Sequence, residues 1–375
     1  MKIANLTFDS FQNDNRIIKE SSSLSQYGYH VEVIAHLDRY TEDNELENNY
    51  KIRRFSYLDR DEYNSTLTKI VAYIKYIYSS AKYCKNFDVI HCNDLNTLPV
   101  AFIVKQFYNR AIKVVYDAHE YETERHNQSK FIKRSSKIIE KFFLKYVNSM
   151  ITVSEPIAKE YVKLYQIEKP TVIYNTPHRV NIEKKDIFRE KFNIPKEHII
   201  FLYQGGLQPR RGILEFIDLI RGKEGVSYVI MGFGELKDNI LEITKREKNI
   251  YFHDAVLPNI LLQYTSSADI GLCIEENRCK SWNLGLPNKM FEYYMVGLPI
   301  LVSGLLELKR FVVDNKTGFV IEDIFNQEEF DRVFPLIIST YRDKKESIKR
   351  VQEIYNWGNE EKKLLNLYKK LEEVS

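Results

Sequence analysis

The residues with the clearest capacity for chemistry lie between positions 283 and 303, in the segment NLGLPNKMFEYYMVGLPILVS. Pro287 and Asn288 are typical of a helix N-terminus, where unpaired backbone N–H groups and the helix dipole attract phosphate. Lys289 adds a cation there. Glu292 lies one helical turn further on, on the same side, and can accept hydrogen bonds from ribose hydroxyls. The segment predicts a nucleotide site, with an ordinary crossover helix as the alternative.

The sequence on either side indicates how this helix is positioned. An apolar run at residues 270–274 predicts a buried strand before it, and a second run at 300–302 predicts another strand after it. Gly297 is typical of the end of the intervening helix, predicted at 289–296. In that order the helix begins at the carboxyl edge of a parallel sheet, where such sheets bind ligands.

Residues 286–303, LPNKMFEYYMVGLPILVS, resemble the donor-binding segment of retaining glycosyltransferases of the GT-B fold, in the family 4 group. The similarity is to the bacterial branch that builds capsule, O-antigen and exopolysaccharide. It continues in the first half of the chain, in NDLNTLPVA, YDAHEYETE and ITVSEPIA. The resemblance implies two doubly wound, Rossmann-like α/β domains that face a cleft, with the donor on the C-terminal side.

Length and pattern agree with two domains. A chain of 375 residues, in which short apolar runs alternate with helical patterns, favours two parallel α/β sheets. The polar stretch 177–198 is the predicted linker, which gives an acceptor-side domain at 1–178 and a nucleotide-sugar domain at 179–357. The resemblance implies that a terminal helix at 358–375 packs back on the first domain.

Composition limits the classes of partner, the cysteine chemistry and the cellular location that we expect for the chain. The 55 basic and 52 acidic residues give a net charge of +3, which does not suggest nucleic acid. The four cysteines form no CxxC pair, so we expect reduced thiols rather than zinc ligands or disulfides. Neither a signal-peptide pattern nor an apolar run of about 20 residues is present, which predicts a cytoplasmic protein that is either free or attached to the inner membrane only at its surface.

A second phosphate-binding candidate begins with Gly205 and Gly206 at the end of a predicted strand. Small residues let a ligand approach the backbone, and the guanidinium of Arg211 suits phosphate oxygens. The resemblance matches Arg211 to the basic residue that holds the donor diphosphate. The family often has arginine where this chain has Gly206, so the clamp is weaker here or depends partly on Lys289. A solvated arginine pair at a helix start is the alternative.

Three further residues are candidates for sugar or base contacts. His119 and Glu120 follow a predicted buried strand, and the resemblance implies that His119 lies across the cleft from the donor sugar. The alternative is a histidine that is simply satisfied by Asp117 or Glu120. Gly232 belongs to a Gly-Phe-Gly loop that the family places near the nucleotide base, although such a loop is as often a tight turn.

Two patterns concern features of the wider group. That group carries a glutamate eight positions before the one matched by Glu292, but this chain has Leu284 there, as the bacterial polysaccharide branch often lacks that glutamate too. Asp59-Arg60-Asp61 is a DxD triplet of the kind that holds Mn²⁺ or Mg²⁺ in other glycosyltransferases, yet it does not end an apolar strand. We therefore predict no metal site.

The resemblance implies transfer of a sugar from a nucleotide-sugar, such as a UDP- or GDP-sugar, to a glycan or lipid-linked glycan acceptor, with retention of configuration and without a cofactor. Arg211, Lys289 and the backbone amides from Leu286 to Asn288 would neutralise the departing diphosphate. Two rival functions remain: a UDP-sugar 2-epimerase of the same fold, and a non-catalytic glycan-binding partner of a polysaccharide assembly complex.

Residues 129–148 predict a basic amphipathic helix, SKFIKRSSKIIEKFFLKYVN. Such a helix can lie on anionic lipid, with each basic side chain contributing about 1 kcal/mol. The alternative is that its apolar side covers the sheet while the lysines stay in water. The basic residues of this helix are Lys130, Lys133, Arg134, Lys137, Lys141 and Lys145, and the apolar ones are Phe131, Ile132, Ile138, Ile139, Phe142 and Phe143.

Overall fold

The structure, a computed structural model, describes residues 1–12, 14–37, 41–42, 44–47, 49–55, 66–126 and 128–373. The chain forms two compact units. Met1–Tyr174 and Glu360–Ser375 make up the first, and Asn175–Asn359 the second. The sequence analysis put the two boundaries at 178 and 357, within four residues of these positions.

The first unit is built on a mostly parallel sheet with the strand order β3-β4-β2-β1-β5-β6-β7-β8 among its described residues. Its strands are β1 Lys2–Leu6, β2 His30–His36, β3 Asn44–Glu47, β4 Tyr50–Phe55, β5 Val89–Asn93, β6 Lys113–Ala118, β7 Ser149–Thr152 and β8 Thr171–Val172. Its helices are α1 Asn15–Gln26, α2 Thr66–Cys84, α3 Leu98–Ile103, α4 Lys130–Leu144 and α5 Glu155–Tyr165. A π-helical turn, Val104–Tyr108, extends α3, and 3-10 turns occupy Leu95–Thr97 and Glu122–Glu124.

The sequence analysis did not predict the hairpin at one edge of this sheet. Strands β3 and β4 pair antiparallel, and β4 joins β2 in parallel register. Exposure alternates along β4, with Tyr50 and Ile52 buried, as expected of a strand that has one face on the core. The DxD triplet Asp59-Arg60-Asp61, at which the sequence analysis predicts no metal site, lies outside the described residues.

The second unit is a parallel sheet with the strand order β11-β10-β9-β12-β13-β14. Its strands are β9 Ile199–Gly206, β10 Val226–Phe233, β11 Ile250–Asp254, β12 Ile270–Cys273, β13 Ile300–Ser303 and β14 Gly318–Ile321. Its helices are α6 Ile187–Phe192, α7 Ile213–Ile220, α8 Lys237–Thr244, α9 Pro258–Thr265, α10 Lys280–Leu284, α11 Asn288–Met295, α12 Leu306–Asn315, α13 Gln327–Thr340 and α14 Lys345–Ile354, and a 3-10 turn occupies Tyr341–Lys344. The order, with neighbours on both sides of β9, is that of a doubly wound sheet.

The predicted linker is wrong in part, because residues 177–198 contain helix α6. Its Phe188 is fully buried, with its ring 6.1 Å from that of His253 and 6.0 Å from that of Tyr264. A polar segment therefore docks on the second unit through one apolar face, which a composition argument does not register.

The last helix, α15 Trp357–Glu373, supplies the C-terminal part of the first unit. Tyr368 is buried there and its hydroxyl lies 2.7 Å from Nδ1 of His91. The hydroxyl of Tyr29 donates to Glu372 at 3.0 Å. Among the described residues, no helix is both long enough and apolar enough to cross a membrane.

Candidate functional site

A cavity of about 400 Å³ opens at the carboxyl edge of the sheet in the second unit. It gathers residues at or just beyond the carboxyl ends of β9, β10 and β12 together with the N-terminus of α11, as expected where parallel strands end side by side. The lining residues predicted from sequence are Gly205, Gly206, Arg211, Gly232, Pro287, Asn288, Lys289 and Glu292. Leu286 does not line this cavity, and its side chain is buried instead.

The glycines of this edge permit a close approach of two strands. Gly205 and Gly232 stand opposite each other in the β9–β10 pairing. A Cβ atom on Gly232 would lie 1.9 Å from the carbonyl oxygen of Gly205, so any side chain there would force the strands apart. Gly205 has a φ of +127°, in the region that favours glycine. Both therefore keep backbone, rather than side chains, at the floor of the cavity.

Lys289 is held by a carboxylate that the sequence analysis missed. Its Nζ atom lies 2.8 Å from Oε1 of Glu275, and Arg211 Nη1 lies 3.6 Å from the same oxygen. Burial by itself would raise the pKa of Glu275, but Lys289 and then Arg211 lower it. Burial would lower the pKa of Lys289, yet Glu275 and Tyr203 raise it. The three groups are therefore all charged, with one net positive charge facing the cavity.

Aromatic rings flank both cations. The ring centroid of Tyr203 lies 4.1 Å from Nζ of Lys289, and that of Trp282 lies 4.6 Å from Cζ of Arg211. Such contacts hold a cation over an apolar surface without neutralising it. The rings and Glu275 thus orient two positive groups toward one place, beside the amides at the start of α11.

Glu292 is fixed by a second residue that the sequence analysis did not choose as a site residue. Gln204 Nε2 donates to Oε2 of Glu292 at 2.6 Å, and Gln204 Oε1 accepts from the hydroxyl of Thr265 at 2.8 Å. Because the amide of Gln204 is held at both ends, its orientation is set. Glu292 thus lines the cavity with a carboxylate, a group that accepts hydrogen bonds from hydroxyls such as those of a ribose.

The two missed residues share one signal. Gln204 lies near the carboxyl end of β9, and Glu275 lies two residues beyond the end of β12. Polar side chains at the carboxyl ends of buried parallel strands are candidates for a site. Phe233, at the end of β10, also lines the cavity and is largely exposed, so its ring is available for stacking on a planar group.

His119, in the first unit, is placed by the end of β6. Its Nε2 atom lies 3.0 Å from Oδ1 of Asn93 and 3.4 Å from Oδ2 of Asp117. The amide nitrogen of Asn93 donates to Asn5 and to the carbonyl of Leu6, so its oxygen must accept from His119. Nε2 therefore carries a proton.

The charge of His119 follows from its neighbours. Burial favours the neutral imidazole, but Asp117 and Asp94 overcome this and raise the pKa of His119 to about 10. Its Nδ1 atom lies 4.0 Å from Oδ1 of Asp94. Asp94 itself has a φ of +63°, an uncommon backbone conformation for a residue with a side chain. The first unit thus presents an imidazolium at the carboxyl edge of its sheet.

Behind His119 lies a buried cluster of charged residues. Arg16 holds Asp117 through two hydrogen bonds, Nε to Oδ2 at 2.7 Å and Nη2 to Oδ1 at 2.9 Å. The Arg16 guanidinium lies 3.2 Å from Glu20, whose pKa burial and Asp117 raise to about 7. Glu20, His91 and Asp117 are close enough to bind a metal ion, but Arg16 already supplies the cation there.

Glu120, the other candidate in this unit, is half exposed and differs from His119 in its partners. Its Oε2 atom lies 3.6 Å from Nε of Arg125, which also contacts Asp94 at 3.5 Å and Glu122 at 2.6 Å. Arg125 therefore gathers three carboxylates beside His119. Glu120 keeps enough exposure to meet a ligand.

Sequence comparison assigns the chain to a family. The profile described as Glycosyltransferase Family 4 matches residues 16–176, and that described as Glycosyl transferases group 1 matches residues 199–332. The two matches lie one in each unit and together span most of the chain. The chain therefore belongs to the glycosyltransferases of the family 4 and group 1 type, and its two α/β units are those of the GT-B fold.

A relative of this chain is also described as a glycosyltransferase. The O-antigen biosynthesis glycosyltransferase WclY of Escherichia coli is 23% identical over 221 residues, which are 55% of this chain and 61% of that protein. The match thus spans less than two thirds of that relative's length.

Solved structures support the same fold. Sucrose-phosphate synthase from Thermosynechococcus elongatus superposes with a TM-score of 0.77 at 17% identity, covering 100% of both chains. HepE from Anabaena, in complex with UDP, gives 0.75 at 12% identity over 99% of this chain and 100% of that one. WaaG, a glycosyltransferase involved in lipopolysaccharide biosynthesis, gives 0.66 at 13% identity over 96% and 98%.

Proposed function

We propose that this protein is a retaining glycosyltransferase that moves a sugar from a nucleotide-sugar to a glycan or lipid-linked glycan acceptor in the synthesis of a bacterial surface polysaccharide. The observation that carries the proposal is the cavity of the second unit. There Arg211, Lys289 and the start of α11 line one cavity with Glu292, one helical turn further on, and this grouping supports a diphosphate site.

Relatives support the donor and acceptor classes. HepE is described in complex with UDP and with UDP-glucose, which favours a UDP-sugar as the donor here. WclY is described in O-antigen biosynthesis and WaaG in lipopolysaccharide biosynthesis, which favours a surface glycan as the acceptor.

The chemistry requires little beyond positioning and charge. The bond between the sugar C1 and the diphosphate oxygen breaks, and a bond from C1 to the acceptor hydroxyl oxygen forms on the same face. The acceptor proton passes to a phosphate oxygen of the leaving diphosphate. Arg211, Lys289 and the helix amides stabilise the charge that accumulates on that diphosphate. We propose that His119, as an imidazolium, acts on the sugar that is transferred.

Binding and turnover of nucleotide-sugars test this function. UDP- and GDP-sugars should raise the unfolding temperature of the full-length protein. The better donor should be hydrolysed slowly to the nucleoside diphosphate and a free sugar of retained configuration. Interconversion of the donor sugar without acceptor would identify a 2-epimerase instead. Absence of stabilisation by any nucleotide would favour a non-catalytic glycan-binding partner.

Glu292→Gln should weaken nucleotide binding because ribose hydroxyls lose a charged acceptor, an interaction worth about 1.5–3 kcal/mol. The dissociation constant of UDP or GDP, measured by calorimetry, should rise about 10- to 150-fold. A 2′,3′-dideoxynucleotide should bind both proteins with similar affinity. The exposed Glu328→Gln is the matched control and should change neither constant. An unchanged UDP affinity for Glu292→Gln would exclude the ribose contact.

Transfer should proceed in the presence of EDTA, since we propose that Arg211 and Lys289 supply the positive charge that a metal ion supplies in other transferases. The measurement is the initial rate of donor turnover with EDTA and with added Mn²⁺ or Mg²⁺. Complete loss with EDTA, reversed by Mn²⁺, would contradict this proposal. Asp59→Asn/Asp61→Asn would then determine whether the DxD triplet binds the ion.

A further inference from the structure

Helix α4 is attached to the first unit by its polar side. Glu140, its only acidic residue, is fully buried and accepts hydrogen bonds from Tyr116 at 2.7 Å, Tyr161 at 3.0 Å and Tyr165. These hydroxyls come from β6 and α5, so one carboxylate joins three elements. Burial raises the pKa of Glu140, and the three tyrosines oppose that rise. The carboxyl group thus determines which side of α4 faces inward.

Two of the helix's basic residues also face inward. Lys133 and Lys137 contact the carboxylate of Glu124 at 2.9 Å and 2.5 Å. Glu124 lies in the 3-10 turn that precedes α4, and these ion pairs lower its pKa against the effect of partial burial. Buried and paired polar groups therefore occupy the side where an ordinary amphipathic helix has its apolar stripe.

As a consequence, the apolar side of α4 faces out. Phe131 is 78% exposed and Ile138 71% exposed, and Ile132, Ile139 and Phe142 are also exposed. The sequence alternative in which this side covers the sheet is therefore wrong. Isolated exposed apolar residues are normal, but a continuous patch on a folded protein marks an interaction surface.

Helix α2 has the same outward apolar character. It buries Ala81 and four residues at a spacing of four, which are Ala72, Tyr76, Ser80 and Cys84. Apolar residues of α2 that face away from the core form an exposed stripe. This stripe consists of Leu67, Ile70, Val71, Ile74 and Tyr78.

Helix α3 and its π-helical extension connect the two helices. α3 packs against both α2 and α4. The ring of Phe102 in α3 lies 5.4 Å from that of Phe142 and 4.9 Å from that of Tyr146. In the extension, Phe107 and Tyr108 are exposed. We call the exposed apolar residues of α2, residues 104–108 and α4 the apolar face.

The charges around the apolar face are of one sign. Apart from the buried Glu140, the sequences of α2, α3, residues 104–108 and α4 contain no aspartate or glutamate. Their basic residues are Lys69, Lys75, Lys82, Lys105, Lys130, Lys133, Arg134, Lys137 and Lys141. Among the described residues, Lys130, Arg134 and Lys141 form no ion pair and are exposed. The surface thus offers apolar side chains with unneutralised cations among them.

We infer that the apolar face binds the surface of a membrane that contains anionic lipid. Apolar side chains next to long basic ones match a surface where acyl chains lie under negatively charged headgroups. Lysine, which supplies most of these charges, is depleted in protein–protein interfaces, which favours lipid over a protein partner. The inference goes beyond the proposed transfer reaction and does not depend on it.

Sedimentation of the full-length protein with vesicles tests the inference. Binding to vesicles of phosphatidylcholine with phosphatidylglycerol is expected at about 50 mM salt, and little binding to pure phosphatidylcholine or at about 500 mM salt. Lys130→Gln/Arg134→Gln/Lys141→Gln should lower the partition coefficient about a hundredfold. Leu67→Gln/Ile74→Gln/Ile138→Gln should lower it at least tenfold, since three apolar side chains no longer enter the interface.

Matched variants in the second unit provide the controls. Leu336→Gln/Ile354→Gln removes apolar side chains of similar exposure, and Lys349→Gln removes an exposed lysine. These control variants should bind vesicles with the partition coefficient of the unsubstituted protein. Every variant should have the unfolding temperature of the unsubstituted protein. Equal binding by parent and apolar-face variants would overturn the inference. So would absence of binding to anionic vesicles, or a lipid-independent dimer that the same substitutions abolish.

Discussion

Lys289→Met should destabilise the protein strongly, by about 3–5 kcal/mol, because it leaves Glu275 charged and buried without its partner. In the full-length chain this corresponds to a fall of about 10 °C in the unfolding temperature. Differential scanning calorimetry measures it. Lys309→Met, which breaks the exposed pair with Glu322 in the same unit, is the matched control and should cost at most about 1 kcal/mol.

A second substitution separates the structural role of this pair from its role in binding. Lys289→Met/Glu275→Leu removes both charges, and apolar replacement of a buried pair is often neutral for stability. We expect most of the lost unfolding temperature to return. The affinity for the nucleoside diphosphate and the rate of donor turnover should stay low, because the diphosphate still lacks the cation of Lys289. Recovery of turnover together with stability would mean that Lys289 only supports the fold.

Much of this cavity was predictable because its parts are local in sequence. The helix predicted at 289–296 is Asn288–Met295, and the strand predicted at 300–302 is Ile300–Ser303. Each is set by an apolar run with proline or glycine at its limits. Once a parallel sheet is inferred, Arg211 and Lys289 must meet, since both follow carboxyl ends of its strands.

The partners of these residues were not predictable in the same way. Glu275 stands fourteen positions before Lys289, and nothing in a charged loop distinguishes it from Glu276 beside it. Only the fold brings its carboxylate within 2.8 Å of Nζ. Gln204 is similar, because its contacts to Glu292 and Thr265 join residues 88 and 61 positions away. Long-range polar contacts depend on topology, which local patterns do not encode.

Helix α4 illustrates a different limit. Its periodicity defines an apolar and a basic side, and both are present in the structure. Periodicity does not determine which side packs inward. That choice depends on Glu140 and on tyrosines contributed by β6 and α5, whose hydroxyls meet the carboxylate only in the folded unit.

His119→Ala should lower the turnover number about 10²-fold or more but should have little effect on the dissociation constant of the nucleoside diphosphate. The reason is that His119 lies in the first unit, whereas the residues proposed to hold the diphosphate lie in the second. Single-turnover rates and calorimetric binding give the two quantities. His30→Ala, at an exposed histidine of the first unit, is the control. Equal losses of affinity and rate would indicate a folding role.

The protonation of His119 gives this prediction a pH dependence that a merely structural histidine on the surface would lack. Asp117 and Asp94 raise the pKa of His119 to about 10 from an ordinary value of 6.5. Its contribution to stability is therefore complete below pH 6.5 and is lost as the pH rises through about 10. Turnover that depends on the imidazolium should stay constant across neutral pH and fall near pH 10.

His119→Gln, which keeps a hydrogen-bond donor but cannot carry the charge, should have low turnover at every pH. Its unfolding temperature should lie below that of the parent at pH 7 and approach it above pH 10. A parent whose turnover falls between pH 6 and 8, with no such fall in His119→Gln, would show that His119 is neutral in the working protein and would overturn the assignment.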